Sequence, residues 1–416
     1  MNIVSIWLKV KRSYKKNLLF LNAYRKKIYP DFVFDSHTEI IKDEIPVFTF
    51  HFIEPAQFEE QLQFLYANGY QTLTADEFYQ MISGTKSIRE RSVLLTFDDG
   101  WGSLWIYGYP LLRKYGMHGI CFINPGMVHE GGTYFPNLVD LWEGRVSKSE
   151  LFEREKSQKP LCTWEEIKKM AENGVIEFQS HTMYHSLVFT EPQIVDFFHP
   201  AYDTYINNYN IPIFRDQEKD NIARKAEWGM PIYAFAPRMA GKRRYLDDEE
   251  LRVKCIEFVR NNGGKSFFKK QSWRKQLRQL IAEYRKRFGE KGYYESAEEQ
   301  VEAIRWDLLE SKRIIERKLP GKTVQHLCYP YFVGSELAVQ LSREAGYRCN
   351  YWGLLEQCGG NRQYGNPYYV ARLRDEFILR LPGRGRKSLL EILGHRIAKD
   401  SVRFFRNLIK SDYQAL

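Results

Sequence analysis

The stretch Arg91-Ser92-Val93-Leu94-Leu95-Thr96-Phe97-Asp98-Asp99-Gly100 decides how the rest of the chain is read. Its continuous apolar run predicts a strand buried on both faces, as in a parallel sheet covered by helices. The run stops on two carboxylates and a glycine, so the strand opens into a sharp turn that displays acids. Working outward, Ile45–Phe52 (IPVFTFHF) alternates and is rich in β-formers, a second strand. Gly119–Ile123, Val175–Phe178, Val324–Cys328 and Tyr368–Leu373 are further short strands. Between them lie segments with helical spacing or helix caps: Pro55–Asn68, Thr74–Ser83, Trp105–Tyr115, Thr163–Asn173, Ala297–Lys318 and Leu337–Gly346. Thr163 with Glu166 forms a capping box. Strands alternating with helices imply a parallel α/β sheet, closed into a barrel or open. The polar motifs all fall just behind strands, where α/β folds place their sites.

The chain has 416 residues with 44% hydrophobic and 15% aromatic residues, enough for a sizeable core and too apolar for a disordered chain. Residues 190–295 break the strand–helix rhythm with prolines, aromatics and a basic helical stretch, and are read as an insertion. The domain reading is therefore a basic helical extension over 1–44, a core over 45–189 and 296–375, the insertion, and a second basic extension over 376–416. Six cysteines without metal-ligand or disulfide spacing fit a reducing compartment. No apolar run is long enough to span a membrane, and the leader has no apolar stretch longer than Leu18–Leu21, so no signal peptide is expected. A cytoplasmic protein is the expectation.

The 62 Lys+Arg against 52 Asp+Glu give +10, a balance that first suggests an anionic partner. Counted by segment, residues 1–30 carry +8, residues 265–291 carry +8 and residues 372–416 carry +6, which leaves −12 for the remainder. The basic charge thus belongs to three segments around an acidic core. Trp7–Leu21 and Ser388–Lys410 mix apolar and basic residues, as either a membrane-surface helix or a helix docked on the protein would. Nothing resembles a nucleic-acid-binding signature, and no nucleic acid is expected.

Three clusters carry chemistry. Asp98 and Asp99 point different ways at a strand end, so one can bind a metal while the other acts as a base; a solvated Asp-Gly turn is the plain alternative. His181 and His185 in Ser-His-Thr-Met-Tyr-His bring two imidazoles to one side, as zinc ligand pairs require. Two histidines and one carboxylate make a catalytic zinc site with a position left for water. Tyr329-Pro330-Tyr331 is either a strand-end turn with surface tyrosines or a rigid pocket wall that offers a backbone N–H to an oxyanion.

Leu95-Thr96-Phe97-Asp98-Asp99-Gly100 followed by Ser180-His181-Thr182-Met183-Tyr184-His185 resembles the polysaccharide deacetylase family, the NodB homology domain of carbohydrate esterase family 4. The resemblance covers roughly residues 45–190 and 295–375. It implies a distorted (β/α)7-type barrel and a divalent metal, usually zinc, held by Asp99, His181 and His185. Asp98 would then be the general base, Thr182 would orient the ligand loop, and the N–H near Tyr331 would receive the oxyanion. The implied activity is hydrolysis of an N-acyl group, acetyl first, from an amino sugar in a polysaccharide, oligosaccharide or lipid-linked glycan.

Two departures stand out. The third motif of the family often carries an Arg where this chain has Cys328, and a Gly where it has Phe332; Arg372 on the late strand is the substitute expected to steady the base. The general-acid His of similar members lies in a Leu-x-His strand, whose letters match Leu393-Gly394-His395 inside a basic helical stretch. In permuted members that strand moves to the N-terminus, and Phe48-Thr49-Phe50-His51 resembles it, so His51 is the expected acid. Ala236-Pro237-Arg238-Met239 in the insertion is read as structural before it is read as a substrate contact. The rival readings are an inactive barrel kept as a scaffold or sugar-binding module, which the missing Arg at Cys328 keeps open, and an amide hydrolase for a small non-sugar substrate.

Overall fold

The computed structural model describes residues 23–131, 134–151, 160–202, 211–212, 227–355, 360–392 and 394. Twelve strands are present among them. Seven form the main parallel path: β1 (Val47–Phe50), β3 (Ser92–Asp98), β4 (Gly119–Ile123), β5 (Ile176–Ser180), β10 (His326–Cys328), β11 (Cys349–Tyr351) and β12 (Leu373–Arg374). The short β2 (Gln71–Thr72) pairs with the start of β3. Their order is β11-β10-β5-β4-β3-β1-β12. This is a curled parallel sheet, and its two ends meet through one segment. Val370 bridges to Tyr351 in parallel, and Phe48 pairs with Leu373. The N–H of Arg372 donates to the Gly353 carbonyl at 3.2 Å. The expected (β/α)7-type barrel is therefore the fold.

Why β3 holds the centre follows from its residues. All seven are buried. Val93, Leu95 and Phe97 face outward into the layer beneath the helices, with Phe48, Phe50, Ile123 and Phe178. Leu94 faces the barrel interior with Val47, Ile120, Phe122, Cys328 and Tyr351. The strand period of two then carries Thr96 and Asp98 along the same inner line. The helix Ala297–Lys318, as expected from its pattern, opens on a Ser296–Glu299 capping box and buries Ile304, Leu308, Ser311 and Ile315 at turn spacing.

Two elements differ from the sequence expectation. Trp105–Tyr115 is not one regular helix: a wide π-turn over Leu104–Gly108 precedes the helix Tyr109–Lys114. Pro110 has no N–H to give to the carbonyl one turn back, which displaces the ladder there. Tyr368–Leu373 is a turn over Pro367–Tyr369 followed by the two-residue β12. The segment between them crosses from β11 to β1 to close the barrel, so it cannot run beside one partner.

Behind His185 and Ser186 comes β6 (Leu187–Phe197), which runs into the stretch read as an insertion over 190–295 and pairs with antiparallel β7 (Pro231–Pro237). A second hairpin pairs β8 (Tyr245–Leu246) with β9 (Tyr293–Tyr294). Helices Glu249–Asn261 and Trp273–Phe288 cover the unit, and its own core gathers Phe197, Leu251, Cys255, Phe267, Leu277 and Ile281. The second helix buries Trp273, Leu277, Ile281 and Tyr284 on one side and leaves its basic residues outside. The described parts of the two extensions pack together: Arg386 donates to the carbonyls of Phe32, Asp35, Ser36 and Thr38, and Arg380 to that of Val33. The amphipathic stretch Trp7–Leu21 and most of Ser388–Lys410, His395 included, lie outside the described residues. Among the described residues no helix is long and apolar enough to cross a membrane.

Candidate active site

Three strands and the closing segment before β12 deliver one residue each to a common point by the same period of two. On β1, Val47 and Thr49 face inward, and His51 continues that line at the strand's exit. On β5 the inner line ends at His181; on β3 it ends at Asp98; on the closing segment it reaches Arg372. Asp98 and Arg372 meet as a bidentate pair, Nη1–Oδ1 at 2.7 Å and Nη2–Oδ2 at 2.8 Å, with both side chains almost wholly buried. Two further Arg372 donors are engaged: Nε donates to the Trp352 carbonyl at 2.8 Å and Nη1 also to Thr96 Oγ1 at 3.2 Å. Burial alone would raise the Asp98 pKa, but the Arg372 charge and, after it, that of His181 outweigh it and hold the carboxyl below the usual range. His51 Nε2 stands 3.8 Å from Asp98 Oδ2 and is half-exposed. Cys328, where the family Arg was missing, places its thiol 3.7 Å from Asp98 Oδ1. Its burial pushes that thiol's pKa well up.

Asp99 turns the other way. A left-handed backbone (φ 69°) swings its carboxylate from the strand line, and Gly100 follows in the same region (φ 69°). Asp99 Oδ1 lies 3.5 Å from His181 Nε2 and 3.6 Å from His185 Nε2. Oδ2 accepts from the Trp101 indole N–H at 3.0 Å. The Nδ1 of His181 lies 2.8 Å from the Cys328 carbonyl, which fixes Nδ1–H as donor and turns the Nε2 lone pair to Asp99. Burial lowers both histidine pKa values, that of His185 to about 3, despite the opposing pull of the two carboxylates.

A cation fits this donor set. Two ligands at about 2.0–2.1 Å from one tetrahedral ion are roughly 3.4 Å apart. The measured 3.5 and 3.6 Å match that separation. The three side chains are buried, and their donor atoms lie within 4.8 Å of one another. Neutral imidazoles with fixed tautomers and one carboxylate are the chemistry zinc takes.

The ligand loop is pinned by residues that the sequence reading missed. Asn124 Nδ2 donates to the carbonyls of both His181 and Thr182. Asp307, on helix Ala297–Lys318, accepts the Met183 N–H at 2.6 Å. Ser311 pairs with Ser180 at 2.7 Å. Asp307 carried a faint signal, an acid on the buried stripe of an amphipathic helix. Asn124 carried one too, as a polar residue just past a strand. Thr182 is buried with φ 67° and donates its N–H to Ser180 Oγ at 3.2 Å, so its backbone shapes the loop. Of nine described non-glycine residues with positive φ, five sit here: Asp99, Thr182, His185, Tyr331 and Phe332. Such strain is retained where function fixes the geometry.

The third cluster divides. Tyr329 alternates with the inward Cys328, so its ring points away from the site. It packs on Trp352 at 4.6 Å, and its hydroxyl accepts from Asn350 Nδ2 at 2.8 Å. It is a core residue, not a pocket wall. Pro330 starts the turn and Tyr331 reaches the site, its ring 4.3 Å from that of His185. Phe332, passed over as a departure, lies 5.8 Å from the His51 ring and 5.3 Å from the Arg372 guanidinium. In the insertion, Arg238 pairs with Glu295 at 2.5 and 2.8 Å in a buried setting, as a structural residue does.

Comparison with known proteins agrees with this construction. The polysaccharide deacetylase family model matches residues 85–203, which hold Asp98, Asp99, His181 and His185. Over 142 residues the chain is 27% identical to the poly-β-1,6-N-acetyl-D-glucosamine N-deacetylase of Escherichia coli, 34% of this chain and 19% of that protein. Over 130 residues it is 31% identical to the enzyme of the same name from Staphylococcus aureus, 31% of this chain and 37% of that protein. The matches thus span less than half of those relatives. The BpsB deacetylase domain from Bordetella bronchiseptica superimposes with a TM-score of 0.49 at 16% identity, covering 81% of this chain and 97% of that one. Residues 85–203, the stretch that holds all four motif residues, are thus similar to the polysaccharide deacetylase family.

Proposed function

We propose that the chain is a metal-dependent hydrolase that removes an N-acyl group, acetyl first, from an amino sugar in a glycan. The observation that carries this reading is the division of labour between adjacent carboxylates. Asp98 is locked on Arg372, while Asp99 faces two imidazoles at ligand spacing. Asp99, His181 and His185 would hold the divalent cation, Zn2+ by donor type. When bound, it supplies the positive charge that polarises the acyl carbonyl and acidifies water. Asp98, kept ionised and oriented by Arg372, takes the proton of the attacking water. Arg372 takes over the role that Cys328 cannot fill, which counts against an inactive barrel. The N–H of Tyr331 receives the developing oxyanion, since Pro330 before it has none to offer. His51, half-exposed beside Asp98, hands a proton to the departing amine.

The names of the Escherichia coli and Staphylococcus aureus relatives support an N-acetylglucosamine polymer or its precursor as substrate. Five described cysteines are free, in keeping with a reducing compartment, so the cytoplasmic side of an anionic membrane is the proposed place of work. The basic segments at the two ends of the sequence would make that contact. The decisive experiment combines metal analysis with acetate release from N-acetylglucosamine oligosaccharides. Wild type should hold about one zinc equivalent per site and release acetate, and His181→Ala should do neither. A wild type that takes up no metal would overturn the mechanism; metal without acetate would overturn the substrate.

A further inference from the structure

Phe332 is held where a bulky residue has reason not to be. Its φ of 63° is the left-handed region that disfavours side chains. The residue is 39% exposed although its side chain is a large apolar group. Three contacts fix it there. The Arg372 guanidinium lies 5.3 Å from the ring centroid. The His51 ring meets it edge-on at 5.8 Å. Gly353 clears the way, because a Cβ there would lie 3.0 Å from the Phe332 Cβ and 3.1 Å from its Cγ. The Arg372 guanidinium thus lies over the ring while the residue stays partly exposed. Two strained positions in a row, Tyr331 and Phe332, set this orientation, and the neighbouring glycine preserves it.

We propose that the open face of Phe332 is a stacking platform for a pyranose ring, the sugar unit whose acyl group lies at Asp99, His181 and His185. This rests on the deacetylase reading above and names a residue that recognises the sugar. A pyranose presents C–H groups on one face and hydroxyls around its edge. The negative face of an aromatic ring attracts such C–H groups. Beside the platform, the half-exposed His51 offers a polar partner to the edge. An apolar plate with a few polar groups around it is the usual make-up of a small-ligand site. The guanidinium beneath keeps the plate from tilting, since a cation prefers the ring face.

The test uses Phe332→Gly, which relieves the positive φ and so spares the fold, together with Phe332→Leu and Phe332→Trp. In zinc-loaded protein, the Gly and Leu variants should raise KM for N-acetylglucosamine oligosaccharides about tenfold, the scale of one lost aromatic contact with its buried area. Their kcat should hold, and Trp should restore KM. Calorimetric titration of metal-free protein with the same oligosaccharides should show the same tenfold loss without any turnover. A fall in kcat at unchanged KM, or equal binding by wild type and the Gly variant, overturns the proposal. A wild type that binds oligosaccharide but releases no acetate refutes the hydrolase reading and leaves the platform to the titration. A wild type that does not bind overturns the platform itself.

Discussion

Two buried arginine–carboxylate pairs, one in the barrel and one beside the β8–β9 hairpin, look alike but leave their carboxylates in different surroundings. Arg372–Asp98 and Arg238–Glu295 are both bidentate and both buried. Glu295 is closed in on all sides: its Oε1 also accepts the Arg244 N–H at 2.7 Å, and its backbone carbonyl takes the guanidinium of Arg243. Those bonds tie the residues before β8 to the start of helix Ala297–Lys318 and put three N–H donors on the carboxylate. Asp98, by contrast, has Thr49, His51 and Cys328 at longer range, 3.4 to 3.8 Å, on an opening at the strand ends. The two pairs thus differ in what each carboxylate has within reach besides its arginine.

Isosteric neutralisation of each pair tests that contrast most severely. Asp98→Asn and Glu295→Gln each leave a buried guanidinium without its counter-charge, at a cost of about 3–5 kcal/mol, read as a lower denaturant midpoint. Only Asp98→Asn should also lower kcat, by about 10²–10⁴-fold, with metal still bound. Comparable loss of kcat in folded Glu295→Gln would erase the distinction.

A smaller effect is expected at Asp99, whose Oδ2 is occupied by Trp101 so that Oδ1 alone faces the histidines. Trp101→Phe should weaken zinc binding about 10-fold in a chelator competition, the low end of losses seen on removing such supporting bonds. Unchanged affinity would mean that the loop needs no such support.

A further effect is a pH dependence at the barrel rim. Burial holds His185 at about 3 in the folded chain, against roughly 6.5 when unfolded. Between these values the unfolded chain binds a proton that the folded chain refuses, so stability rises with pH. Metal-free protein should therefore lose stability as pH falls from about 6.5 toward 3, and His185→Gln should flatten that slope. An equally steep slope in the variant would assign it to other groups.

Much of this site was legible because it is local. Asp98-Asp99-Gly100 and His181 to His185 each sit within one turn of chain, and Thr49 and His51 follow from the period of one strand. Arg372 was legible as a candidate by resemblance, but its pairing with Asp98 spans 274 positions. Asn124, Asp307, Trp101 and Phe332 were missed because their letters are ordinary; only their neighbours give them a role. Tyr329 was misread because a three-residue strand offers too short a pattern to say which side is inner.

The sequence by itself determined the alternation of strands and helices, the buried central strand and the two ligand-bearing turns. These depend on residue periodicity and backbone preference over a few positions. Tertiary structure alone decided which way the barrel closes, since Val370–Arg374 must serve β11 on one side and β1 on the other. It also decided which of two adjacent carboxylates meets the arginine, which tyrosine faces the core and which aromatic packs against His51 and Arg372. Those choices depend on contacts between distant segments, which no local pattern encodes.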